Sequence, residues 1–140
     1  MANEHNLTDP REIKAFILAG NARFTLVSTK TQKRFTYKVR HSDDGKVHFV
    51  SVLTGPDNES NYVFFASIRG NYLNHGKRTS IGEDAPSASG FAWFWKNLMR
   101  DMVSNQLEFW HEGKCGRCAR PLTDPVSIAS GFGPECIKRL

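Results

Sequence analysis

Hydrophobic positions along this chain recur with two different spacings. Asp9-Pro10-Arg11-Glu12 reads as a helix start: a capping Asp, Pro in the first turn and Glu three residues after the cap. Ile13, Phe16 and Ile17 then fall on one helical face, and Gly20 offers a left-handed stop, which predicts a short amphipathic helix. From residue 22 to 68 the spacing changes to two. Phe24 and Leu26 alternate with Arg23 and Thr25; Phe35, Tyr37 and Val39 alternate with Arg34, Thr36, Lys38 and Arg40. Val47 to Leu53 and Tyr62 to Ile68 are runs rich in β-branched and aromatic residues, and KTQK, SDDGK and GPDNES between these segments are turn-like. Four antiparallel strands in a meander, with the first helix on one face, is the economical solution.

Residues 69–86 show neither spacing and are rich in Gly, Asn and charge, which predicts a long loop. A second helix should follow Pro86, with Ser87 as its cap. Phe91, Phe94, Trp95, Leu98 and Met102 form its apolar stripe, fading near Asn105. Leu107 to Trp110 then reads as a brief strand. The expected fold class is α+β: an antiparallel β-meander flanked by two helices over residues 1–106, followed by a small module over 107–140.

Composition narrows the setting. The 140 residues include ten Phe and three Trp, enough bulk for one core, and no stretch approaches the about 20 apolar residues of a membrane span. The N-terminus lacks the apolar segment of a secretory signal, so a reducing cytoplasm is the expected location. There, clustered cysteines more often bind metal than form disulfides. A net charge of +5 makes a polyanion a plausible partner without requiring one.

All three cysteines lie near the C-terminus. Cys115-Gly116-Arg117-Cys118 is a C-x-x-C pair, and Cys136 follows after seventeen intervening residues. Two thiolates at this spacing fit one tetrahedral zinc ion across a tight turn that Gly116 eases. Gly133-Pro134 before Cys136 favours a helix start, whose positive end stabilises a thiolate. A knuckle plus a ligand at a helix start is treble-clef-like, although the four residues after Cys136 supply no second helical ligand. His111, four residues before Cys115, is the nearest candidate for the fourth position; Asp124, Glu135, water or a group from another chain also satisfy the chemistry. A redox role for C-x-x-C calls for a βαβ context that the meander does not offer, and it leaves Cys136 without a purpose.

The segment CGRCARPLTDPVSIASGFGPEC is very similar to the tail of an uncharacterised zinc-knuckle family found in phages, plasmids and related mobile elements, with the form CxRCGRxLTxPxSIxxGxGPxC. Ala119 stands where that family usually carries Gly. FTLVSTKTQKRFTYKV, FVSVLTGPDN and FAWFWKNL resemble parts of longer relatives, so the chain is expected to be one whole member. The resemblance implies a zinc-binding protein of a mobile element and implies no activity.

Binding surfaces follow from charge. Lys30, Lys33, Arg34, Lys38 and Arg40 fall in one acid-free segment, and Arg34, Lys38 and Arg40 share a strand face with Thr36. Such a face could track phosphates, or serve only as a solvated face or a guarded edge. Trp93 points away from the second helix's apolar stripe and sits beside Lys96 and Arg100, an arrangement that suits base stacking or a protein anchor. Arg117 and Arg120 add charge to the cysteine module. No phosphate-cradling glycine loop or G-x-S-x-G elbow is present, so a non-enzymatic protein is expected. Its partner would be nucleic acid, DNA or RNA, or alternatively a host defence or regulatory protein.

Overall fold

The computed structural model describes residues 6–54, 62–77, 79–103 and 106–111. Their chain order is β1 (Asn6–Leu7), α1 (Pro10–Ile17), β2 (Asn21–Ser28), β3 (Arg34–His41), β4 (Val47–Leu53), β5 (Tyr62–Arg69), β6 (Tyr72–His75), α2 (Pro86–Leu98) and β7 (Leu107–His111). Among the described residues the strands form one antiparallel sheet in the order β1-β7-β2-β3-β4-β5-β6. The α+β meander read from the sequence is therefore present, widened from four strands to seven.

The first helix forms as its sequence dictates. Asp9 Oδ1 accepts the Arg11 backbone N–H at 2.9 Å, Pro10 opens the helix, and Ile13, Phe16 and Ile17 are fully buried. The helix stops at Ile17, short of Gly20. That glycine serves the start of β2 instead: its φ is +122°, and a Cβ there would run into the His41 ring.

Three differences from the sequence-based expectation have plain causes. Within the expected loop, Arg69-Gly70-Asn71-Tyr72 is a two-residue hairpin turn, with Gly70 at φ +61°, and it launches β6. At α2 the cap is Ala85 with no side-chain hydrogen bond, and Ser87 lies inside the helix, where its carbonyl accepts the buried Tyr37 hydroxyl at 2.6 Å. That helix ends at Leu98, and Asp101 at φ +54° reverses the chain, so Met102 leaves the stripe and is 54% exposed. Finally, Leu107–His111, grouped above with the cysteine module, is an internal strand of the sheet. It is paired to β2 on one side and β1 on the other.

Buried strand residues all fall on one face. Ala22, Phe24, Leu26, Tyr37, Val39 and Phe109 meet Phe16 of α1 and Phe91 and Phe94 of α2 there. The rings interlock: Phe24 stacks on Phe109 at 4.7 Å between centroids, and Phe91 touches Phe24, Tyr37 and Phe65. Burial pushes the Tyr37 phenol well above its usual pKa, so it stays a neutral hydrogen-bond donor.

His48 also faces inward, its Nε2 within 3.0 Å of the Leu18 carbonyl oxygen and its ring 6.3 Å from that of His41. Desolvation, opposed by the Leu18 hydrogen bond and aided by repulsion from His41, holds its pKa below the ordinary 6.5. The unfolded chain therefore takes up this proton more readily than the folded one. The contribution to stability is present above pH 6.5 and is lost as the pH falls through the lowered folded value. Denaturation midpoints measured on either side of that pH are expected to drop on acidification, and to drop less in His48→Gln.

Candidate functional site

With both helices on one face, the register fixes what the other face carries. Arg40 opposes Phe49, which opposes Ser67; Lys38 opposes Arg23 on one side and Ser51 on the other, and Ser51 opposes Phe64. A β-bulge between Val50 and Ser51 turns Phe64 outward while Phe65 and Ala66 are both buried. Phe49 and Phe64 thus meet edge to face at 6.0 Å, 41% and 42% exposed. Water-facing phenyl rings in a pair, on two neighbouring strands inside the sheet, are not explained by packing of the core.

Cations flank this pair. The Arg23 guanidinium lies 5.7 Å and the Lys38 ammonium 5.2 Å from the Tyr62 ring centroid. Arg34, Arg40 and, by the same register, Arg69 stand on this face too. Toward β7, a shallow depression of about 410 Å³ is lined by Thr25, Val27, Gln32, Arg34, Glu108 and Trp110, with the Thr25 and Thr36 hydroxyls bonded at 2.8 Å on the same face. Three strand spacings of about 4.8 Å separate β7 from β4, so aromatic surface is offered at two places about 14 Å apart across a basic middle.

The expected binding residues divide into separate surfaces. Arg34, Lys38 and Arg40 share the outer sheet face, as the alternation predicts. Trp93, Lys96 and Arg100 are exposed on the helix-bearing side, Trp93 at 42%. Lys30 and Lys33 sit at the β2–β3 turn and line a cleft with Trp93. Arg117 and Arg120 lie outside the described residues, as do Cys115, Cys118 and Cys136. Sequence reading missed Phe49, Phe64, Tyr62, Arg23 and Trp110. Phe49 sits in the run VHFVSVL, whose apolar character hides which face is which; only its pairing with Arg40 turns it outward.

Of the four proposed zinc donors, His111 is the described one. It closes β7 opposite Phe24, is 2% exposed on the helix-bearing face, and its ring lies 5.7 Å from that of Phe16. Soft thiolates with one imidazole form a donor set suited to zinc. A zinc held by His111 would therefore be on the α1 side of the sheet, opposite the Phe49–Phe64 face.

The described residues define an α+β protein with an open antiparallel sheet, helices on one face and a basic, aromatic second face. Residues 106–140, about a quarter of the chain, match DUF6011, a family of unknown function. The matched region begins at β7, so the strand docked between β1 and β2 is continuous with the cysteine segment in that likeness. No curated protein and no solved structure matches the chain. No helix among the described residues is long and apolar enough to cross a membrane.

Proposed function

We propose that this chain is a non-enzymatic accessory protein of a phage or mobile element that binds single-stranded nucleic acid, DNA or RNA, on its open sheet face. The Phe49–Phe64 pair, half exposed within a cationic surface, carries this reading. Exposed aromatic faces reward unstacked bases, whereas a duplex keeps its bases paired and offers mainly phosphates. The zinc knuckle read from Cys115, Cys118, Cys136 and His111 would hold the tail, with Arg117 and Arg120, in a fixed shape.

Counterion release supplies the test. If three or four of the face's cations engage phosphates, the log of affinity for a single-stranded oligonucleotide should fall with log salt at a slope of about −2 to −3. Duplex of the same length should bind more weakly. Absence of binding at low salt would remove the reading. A complex with a host protein that withstands nuclease would support the alternative, a protein-directed modulator.

A further inference from the structure

A second concavity lies on the helix-bearing side, away from the open sheet face. It is a cleft of about 340 Å³ between the β2–β3 turn and α2. Its lining is predominantly apolar, contributed by Leu26, Phe35, Tyr37, Leu107 and the Trp93 indole. Lys30 and Lys33 stand at it, and no acidic side chain lines it among the described residues. A cation pair beside low-dielectric walls attracts an anion more strongly than the same lysines in open water.

Gly90 is the independent sign that the space is kept open. It lies inside α2 on the helix stripe Pro86-Gly90-Trp93, and all three residues line the cleft. Glycine is a poor helix former, and two usual reasons for tolerating it are absent here. Its φ is not in the positive range, and a Cβ built on it meets nothing within 4 Å among the described residues. Neither backbone conformation nor close packing calls for glycine, so what it provides is a flat helix wall and open volume beside Trp93.

From these observations we propose that the cleft is a binding site for a small aromatic carboxylate, its ring over Gly90 beside Trp93 and its charge met by Lys30 and Lys33. The volume sits at the lower end of small-molecule pockets and suits a two-ring acid better than a long chain. The site lies on the opposite side of the sheet from the Phe49–Phe64 pair, so it stands or falls separately from strand binding.

Calorimetry and indole fluorescence on the full chain, with naphthalene carboxylate and its neutral methyl ester as probes, test the assignment. The acid is expected to bind with Kd on the order of 10 µM and to change the indole emission. The ester should bind at least about tenfold more weakly, since it lacks the charge the lysines read. Gly90→Leu, which fills the cleft, should abolish binding, and the double variant Lys30→Gln/Lys33→Gln, confined to an exposed turn, should weaken it by about tenfold. Oligonucleotide affinity should be unchanged in Gly90→Leu. Equal binding of acid and ester, undiminished binding by either variant, or joint loss of oligonucleotide binding in Gly90→Leu would each overturn the proposal.

Discussion

Replacing Phe49 and Phe64 together by alanine is expected to weaken binding of a single-stranded oligonucleotide by at least about 30-fold. Base–aromatic stacking contributes about 1–3 kcal/mol per base, so two lost platforms remove about 2–6 kcal/mol, and the lower figure already corresponds to that factor. The fold should survive, because both rings are more than two-fifths exposed and neither belongs to the cluster around Phe24 and Phe91. Unchanged circular dichroism and a denaturation midpoint close to that of the parent protein would show this.

The salt dependence separates stacking from charge. The aromatic double variant should lower affinity at every salt concentration while leaving the slope intact, since no phosphate contact is lost. Lys38→Gln/Arg40→Gln should instead lower affinity most at low salt, flattening the slope by about 0.7 per phosphate contact removed. Undiminished affinity in the aromatic variant would mean that strands, if bound at all, are bound elsewhere. The lysine-arginine variant has one further consequence: Lys38 lies over Tyr62, so its loss removes one of the two cations that face that ring and leaves Arg23.

Several of these features could be read directly from the chain because local chemistry determines them. Asp9-Pro10 specifies a helix start through its own hydrogen bond, and the alternation of β3 puts Tyr37 and Val39 inward and Arg34, Lys38 and Arg40 outward with no tertiary information. Gly70-Asn71 carried a legible hairpin signal, but the surrounding charge and Asn content masked the four-residue strand after it. Other features depend on distant pairing. The inward side of VHFVSVL is settled only by β3, the outward turn of Phe64 only by the bulge opposite Ser51, and the place of β7 only by the free edge of β2. The strand pattern groups Arg34 with Lys38 and the helix pattern groups Trp93 with Lys96, but neither says that the two groups lie on opposite sides of the sheet. A candidate surface is legible in sequence as residue types; its membership is set by register.

Cys118→Ser, or chelation of the parent protein, is expected to release the one zinc proposed per chain and to leave the segment after His111 open to protease. Structural zinc contributes an apparent 10–16 kcal/mol in small zinc-finger peptides, and the few apolar residues of that segment, Leu122, Ile128 and Phe132 among them, cannot replace it. The sheet should persist, since its aromatic core is assembled from β2, β3, β7, α1 and α2. Elemental analysis, limited proteolysis and far-ultraviolet dichroism would together show metal loss, tail cleavage and an intact sheet. The choice of residue matters. His111→Ala would remove a proposed ligand and also open a hole beside Phe16 in the core, so any instability would have two causes. A cysteine variant changes the proposed donor set and leaves the described core residues unaltered, and zinc affinity measured in His111→Gln then reports the fourth position by itself. Parent protein purified without chelator and found free of zinc would dispose of the metal centre, while the outer-face predictions, resting on Phe49 and Phe64, would remain to be judged by strand binding.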